Sequence, residues 1–218
     1  MEAGALRRWR QPVERRLLTV RVAWIGRLTV PVDRAGWTGV VLAGGRSSRM
    51  GRDKALLDWH GRPLLEHMQA LLREAGAARV IVSGPYGGLA VPDRAPGKGP
   101  MGGIASIAAT LPDGVLVLVP VDMPRLTPTM LSTLAGTEES RCTHYAGYVL
   151  PMRLLLDRRT RAVLAELDVA ADDQKPGRGG SLHALHERLH GVQLVPAPGS
   201  DEAFANCNTP DQWQEMHQ

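Results

Sequence analysis

Arg46, Arg49, Arg52 and Lys54 place four cations within nine residues, directly after Gly44 and Gly45. Like charges this close repel one another unless solvent or a polyanion compensates them, and a triphosphate is such a compensator. The two glycines add what a phosphate asks of a backbone. Lacking Cβ, they are free to take positive φ, and a ligand can come close to their amides. Asp122 offers the complementary chemistry. Phosphoryl transfer uses Mg²⁺ to bridge phosphate oxygens, and magnesium takes one or two carboxylates together with water and substrate oxygens. Asp122 is therefore the candidate metal ligand, with a turn or helix-capping role before Met123-Pro124 as its bland alternative.

These groups need a scaffold, and the flanking sequence predicts one. Gly39-Val40-Val41 reads as a strand that empties into the cationic loop, against a surface hairpin carrying solvated arginines. No Gly-Lys-Ser/Thr closes the loop, so it is not a Walker A element. Asp58-Trp59-His60-Gly61-Arg62-Pro63 intervenes before a helix that should start near Pro63, with Leu64, Leu65, Met68, Leu71 and Leu72 at i, i+1, i+4, i+7 and i+8, and stop at Gly76. Arg79–Ser83 then reads as a strand. This order predicts an α/β chain with the loop at the carboxyl end of its first strand, where open sheets bind ligands. Val115–Val119 is the most apolar run and reads as a buried central strand, so that Asp122 faces the same crevice. Further helices are predicted at 102–110, 127–135, 158–168, 181–190 and 209–217, and strands at 143–149 and 192–196. Residues 177–180 and 196–200 read as loops. Neither internal repeats nor low-complexity tracts are evident.

One competing pattern lies at Gly97-Lys98-Gly99-Pro100-Met101-Gly102. It satisfies G-x-G-x-x-G, and Asp122 follows Gly102 by twenty residues, as a ribose-binding acid would in a dinucleotide fold. That fingerprint must follow a strand directly, and Ala90–Pro96 holds two prolines and two charges where the strand should be. The segment reads instead as a second loop over a nucleotide, with helix 102–110 presenting its positive N-terminus.

Leu42-Ala43-Gly44-Gly45 with Arg49-Met50-Gly51 and Asp53-Lys54 resembles the signature of the nucleotidyltransferases that load a nucleotide onto the molybdenum cofactor, and most of all their guanylyltransferase branch. Gly99-Pro100-Met101-Gly102-Gly103-Ile104 is similar to that branch's Gly-Pro-Leu-Ala-Gly-Ile segment. Val119–Pro124 is similar to its Pro-Cys-Asp-Met-Pro, and Phe204–Pro210 to its Asn-x-Asn-Thr-Pro. The motifs run in the right order over about residues 38–216; together they are specific, although each alone is weak. The sister cytidylyltransferases usually read Leu-Ala-Ala-Gly in the loop, so Gly44 favours guanine.

The resemblance implies an α/β, Rossmann-like three-layer nucleotidyltransferase fold with a mostly parallel central sheet. It implies GTP and the molybdopterin cofactor as substrates, Mg²⁺ as the metal, and transfer of GMP to the terminal phosphate of molybdenum-molybdopterin with loss of pyrophosphate. Cofactor-synthesis proteins and molybdoenzyme apoproteins or chaperones would be its protein partners. Leu42, Ala43 and Gly44 would hold the guanine and ribose side through backbone groups, with Gly45 in the same nucleotide loop. Arg49 would lie near the β- and γ-phosphates, Lys54 at the α-phosphate and Asp93 beside the nucleotide. Asp122 would contact magnesium and nucleotide together. Asn208 would approach the metal or the cofactor end, although Asn-Thr-Pro-Asp would equally cap the last helix. Ser83 stands where the branch usually carries asparagine, which leaves base recognition there weaker or made by the backbone. Val121 in place of cysteine, Arg125 in place of an aromatic and a loop shorter by one residue at Gly51-Arg52-Asp53 also depart from the pattern. The attacking phosphate is already an anion, so neither a strong base nor a covalent intermediate is needed. Lys54, Arg49 and Asp122, as the catalytic set, would align two polyanions and screen their repulsion.

Three alternatives stand beside this reading: a cytidylyltransferase, a sugar-phosphate nucleotidyltransferase, and a non-catalytic molybdopterin carrier. Composition narrows the remainder. The chain has 218 residues, 44% of them hydrophobic and only one Phe, enough for one domain with an aliphatic core. Cys142 and Cys207 offer no disulfide framework, which favours a reducing compartment. His183, His186 and His190 share one helical face, read as solvated rather than metal-binding because no acidic or cysteine partner pattern accompanies them. Residues 1–36 hold eight arginines and three acids, a net of +5 against +4 for the whole chain, so the remainder carries −1 and no nucleic-acid footprint. That leading stretch is expected to be a basic extension, disordered or an over-long start, ahead of the nucleotidyltransferase domain at 37–218. Leu17–Val30 is interrupted by Arg21 and Arg27 and reads as too short and charged to span a membrane; no secretory signal is expected, and the residues around Arg7-Arg8 and Arg15-Arg16 fit a twin-arginine signal poorly. A cytoplasmic location is expected. Asp172–Pro176 is expected to border the cofactor side.

Overall fold

Alternation along the first strand shows how the layers arise. In β1 (Thr38–Leu42), Val41 joins a core on one side while Val40 and Leu42 join a core on the other, the two-residue period of a strand covered on both faces. The computed structural model describes residues 36–44, 53–86, 90–92, 99–172 and 181–216. After β1 the chain forms a small ribbon of β2 (Asp58–Trp59) and β3 (Arg62–Pro63), then α1 (Leu64–Glu74), β4 (Arg79–Ser83), β5 (Ala90–Val91), α2 (Gly99–Ala108), β6 (Gly114–Pro120) and α3 (Pro128–Ala135). It continues through β7 (Cys142–Tyr145), β8 (Tyr148–Leu156), α4 (Arg158–Asp172), α5 (Leu182–Arg188), β9 (Val192–Leu194) and α6 (Pro210–Met216).

The central sheet has seven strands in the order β5-β4-β1-β6-β8-β7-β9. All run parallel except β8, which is antiparallel to both β6 and β7. From β1 the chain first adds strands on one side, β4 and then β5, and afterwards returns to place β6 on the other. The order therefore reverses between β1 and β6, and the crevice at their carboxyl ends is the topological switch point at which such sheets bind ligands. One face carries Val41, Val82, Val117 and Val119 against Leu64, Leu72 and Leu131 of α1 and α3. The opposite face carries Leu42, Ile81, Leu116 and Leu118 against Ile104, Ile107 and Leu164 of α2 and α4. The expected three-layer, mostly parallel α/β fold is what the chain adopts.

Helix α1 buries all five of the leucines and methionine predicted from the sequence. Glu66 in its first turn and Arg73 in its last complement its dipole, and Gly76, at φ +99, ends it. Three elements differ from expectation. The strand predicted at 143–149 is a hairpin, β7 and β8, turning at Ala146-Gly147 with Gly147 at φ +85. β8 continues through Pro151, which falls in the register irregularity between the β7 pairings of His144 and Tyr145; a bulge is where a sheet tolerates a residue without an N–H. Helix α2 begins at Gly99 rather than 102, and a two-residue edge strand, β5, does pair with β4 ahead of it. Residues 58–63 form a tight ribbon because His60 and Gly61 both take positive φ, 50 and 86, the conformation of a two-residue hairpin turn. Residues 1–35, 173–176 and 177–180, about which the sequence made predictions, lie outside the described residues. Among the described residues no helix is long and apolar enough to cross a membrane.

Candidate active site

Register brings Leu42 of β1 beside Pro120 of β6, so the chain segments leaving the two strands run on together as Ala43-Gly44 and Val121-Asp122. A cavity of about 450 Å³ opens there, lined by Leu42, Ala43, Gly44, Asp53, Lys54 and Asp122, and across from them by Gly147, Tyr148, Val149, Leu150 and Asn206. Pro100 also lines it, which brings the positive end of α2 to the cavity rim.

Lys54 opens a short 3₁₀ turn, Lys54–Leu56, whose first amides are capped by Asp53: its Oδ1 accepts from the Ala55 amide at 3.0 Å. From that turn the Lys54 Nζ donates to Asp122 Oδ2 at 3.1 Å and to Asn208 Oδ1 at 2.6 Å. The Lys54 and Asp122 side chains are 16% and 21% exposed. That shelter strengthens their attraction above that of a surface pair and leaves both reachable from the cavity.

Asp122 is held through its own backbone. Its carbonyl accepts from the Cys207 amide at 3.0 Å and from the Cys207 thiol at 3.4 Å. Burial, reinforced by the Asp122 charge, pushes that thiol up to about 11, so it stays a donor at neutral pH. The same tie delivers the next residue, Asn208, to Lys54. Capping of α6 falls to Thr209, whose Oγ1 accepts from the Gln212 amide at 3.3 Å and whose carbonyl accepts from the Trp213 amide at 3.0 Å. Asn208 Oδ1 is thus committed to Lys54, while the Asn208 amide donates to Gln212 Oε1 at 2.8 Å. Trp213 meets Trp59 at 5.7 Å between ring centroids, which braces α6 against the β2–β3 ribbon. Arg125, one of the departures from the family pattern, donates to the Met216 carbonyl at 3.1 Å and steadies the end of that helix.

The structure separates the remaining sequence candidates. Ser83 is 1% exposed, and a Cβ on Gly103 would stand 2.3 Å from its Oγ, so its side chain lies beneath α2. Its carbonyl reaches the site by accepting from the Ala43 amide at 3.0 Å. Gly44 does not take the expected left-handed φ, and a Cβ there would meet nothing closer than the Ser83 carbonyl at 3.8 Å. The fold does not require glycine at that position, and the open space is left to whatever enters the cavity. Gly45, Arg49 and Asp93 lie outside the described residues. His186 does not share its surroundings with the exposed His183 and His190: its ring packs on His144 at 4.3 Å, with Cys142 Sγ 3.8 Å from its Nδ1. Among the described residues there is no group of three His, Cys, Asp or Glu that could hold a metal.

Sequence reasoning did not pick out Asp53, Tyr148 and Cys207 as site residues, nor Tyr86. The last has a local signal, since Gly84-Pro85 turns the chain back immediately after β4, beside β1. Tyr148 stacks on Phe204 at 3.9 Å and 8° and gives the cavity an aromatic wall.

The profile of the MobA-like NTP transferase domain matches residues 39–189. The molybdenum cofactor guanylyltransferase of Xanthomonas euvesicatoria pv. vesicatoria is 49% identical over 184 residues, which cover 83% of this chain and 94% of that one. Among solved structures, molybdopterin-guanine dinucleotide biosynthesis protein A from Archaeoglobus fulgidus matches with a TM-score of 0.64 at 19% identity, covering 82% of this chain and 95% of the other. Rv0371c of Mycobacterium tuberculosis, in complex with manganese, matches with a TM-score of 0.53 at 19% identity over 83% of this chain and 97% of its own. With a switch-point cavity, a lysine and a carboxylate converging in it, and a family profile over most of its length, the chain belongs to the MobA-like NTP transferases.

Proposed function

We propose that this chain is a molybdenum cofactor guanylyltransferase, which transfers GMP from GTP to the terminal phosphate of molybdenum-molybdopterin and releases pyrophosphate. The observation that carries this reading is the convergence of Lys54 on Asp122 and Asn208 at the switch point, in a chain 49% identical to a protein of that name. A phosphate oxygen of the acceptor forms the new bond to the α-phosphorus of GTP, and the bond to the β-phosphate oxygen breaks. The acceptor is an anion already, so the chain's residues act by charge and placement. Lys54 turns its Nζ to the α-phosphate, Arg49 meets the β- and γ-phosphates, and Leu42, Ala43 and Gly44 hold the nucleoside through backbone groups. Gly44 leaves the room that a guanine base takes.

Asp122, which lines the cavity, would be the metal ligand, and the Asn208 carboxamide oxygen, which shares Lys54 with it, would be a second hard oxygen donor, a set that suits Mg²⁺. Once bound there, the metal supplies neutralisation of the charge shared between phosphate oxygens. The manganese in the structural neighbour belongs to that protein; for this chain the assignment rests on Asp122 and Asn208. The aromatic wall at Tyr148 lies on the acceptor side. Residues 37–218 carry the activity, the site of action is the cytoplasm, and protein partners are those that make molybdopterin or receive the finished cofactor.

Calorimetric titration of GTP, CTP and ATP with Mg²⁺ into the wild type and Asp122→Ala tests this. Selective GTP binding that weakens in the variant supports it. A preference for CTP moves the chain to the cytidylyltransferases, and no binding of any nucleotide leaves a molybdopterin carrier.

A further inference from the structure

Tyr86 leaves the carboxyl end of β4 after the turn at Gly84-Pro85 and reaches both flanks of the cation-bearing segment. Its hydroxyl lies 2.9 and 3.0 Å from the two carboxylate oxygens of Asp53, which ends that segment, and 3.3 Å from the carbonyl of Ala43, which begins it. A phenol has one proton to donate, and a charged carboxylate is its strongest acceptor here. Burial and the Asp53 charge raise the Tyr86 pKa far above its usual value, so the hydroxyl stays a donor throughout the working pH range. The ring is fixed in place by its neighbour. Gly84 sits at φ +140, where a Cβ would come within 2.7 Å of Tyr86 Cε2 and 3.4 Å of the Gly44 amide nitrogen. Only glycine lets the end of β4, the tyrosine ring and the entry to the segment meet.

Asp53 is an unexpected neighbour for a polyanion. It lines the cavity next to Lys54, and an unengaged carboxylate there would repel incoming phosphates. Both of its oxygens are engaged instead, by the Ala55 amide and the Tyr86 hydroxyl. We infer that Tyr86 is a positioning residue for the polyphosphate: by holding Asp53 it fixes the turn that aims Lys54 and keeps the carboxylate, whose negative charge remains, in one place. The inference rests on the nucleotide reading above and deepens it.

A double-mutant cycle on GTP binding tests it, with Mg²⁺ present and Tyr86→Phe, Asp53→Asn, the double variant and Lys54→Ala compared with the wild type. Tyr86→Phe keeps the ring that packs on Gly84, and its melting midpoint verifies folding; Asp53→Asn weakens the same tie from the other side. The expected result is roughly tenfold weaker GTP binding in Tyr86→Phe, the size of one hydrogen bond to a charged group, and almost no further loss when it is added to Asp53→Asn. A merely structural tyrosine would act equally in both backgrounds. GTP affinity within twofold of wild type in Tyr86→Phe, or losses that add in full, overturns the inference. Lys54→Ala separates the two levels. If it weakens GTP binding while Tyr86→Phe does not, only the role of Tyr86 falls; if it leaves binding intact, the nucleotide reading falls and takes this inference with it.

Discussion

Among the described residues, two clusters of ionisable side chains have opposite surroundings. At the carboxyl ends of β1 and β6, Lys54 and Asp122 face each other as opposite charges, partly exposed, on the wall of a cavity. Between β7 and α5, Cys142, His144 and His186 crowd together with no carboxylate among them. Burial pushes the Cys142 thiol up to about 12 and both histidines down, His186 to about 4, so this second group is neutral at pH 7. Its groups are largely spent on packing: the His144 Nδ1 meets the Tyr145 carbonyl at 2.8 Å, while the His144 Nε2 has no hydrogen-bond partner among the described residues. Reactive residue types lie close together in both places. Only the first of the two lines a cavity with somewhere for a ligand to go.

The largest effect that sharpens the contrast is expected from Lys54→Ala, with turnover falling on the order of 10²-fold or more, as when other preorganised charge stabilisers are removed. Near-full turnover would break it. Asp122→Ala should abolish the metal dependence of GTP binding, measured as the difference between titrations with and without Mg²⁺; an unchanged difference would place the metal elsewhere. Asn208→Ala removes the 2.6 Å contact to Lys54 and should cost roughly tenfold in kcat/KM, about one hydrogen bond to a charged group, with little change in melting temperature.

The neutral cluster should answer to pH and not to substrate. His186 has a folded pKa of about 4, first through burial and then through His144 and His183, and an unfolded pKa near 6.5. The native state therefore binds fewer protons. Its stabilisation is complete above about pH 6.5 and is lost as pH falls towards 4, worth up to about 3 kcal/mol for this one group. Melting temperature followed from pH 7 to 4 should fall, and His186→Asn should flatten that fall while leaving GTP affinity unchanged. Smallest of all is the effect expected from removing residues 1–36: GTP affinity should stay within twofold of the full chain.

How legible each part was in the sequence follows from how local its cause is. Lys54 could be read from the crowding of cations behind two glycines, and Asp122 from the apolar run ahead of it. Asn208 could be found only through the resemblance, because its contact with Lys54 spans 154 residues and no local pattern announces it. Tyr86 went unread although the Gly84-Pro85 turn stands beside it, since its partner Asp53 is 33 residues away. Strand β8 was hidden by Pro151 and by Arg153. A proline argues against a central strand unless a bulge receives it, and Arg153, only 4% exposed, donates to the carbonyls of Ala135 and Ser140. Buried arginine with backbone acceptors looks polar in a sequence and behaves as core in the fold. Gly44 was expected in a left-handed turn and is not; a glycine does not reveal which of its freedoms the chain uses.

The double tie from Cys207 to the Asp122 carbonyl joins residues 85 apart, and it sets a timetable. A chain emerging from the ribosome has its first strand, Lys54 and Asp122 outside long before Cys207 and Asn208 follow. Contacts of such separation form late, because the loop between them has to be closed first. The pocket is therefore finished only once Cys207 and Asn208 have appeared, and a shorter nascent polypeptide has the scaffold of a catalyst without its activity.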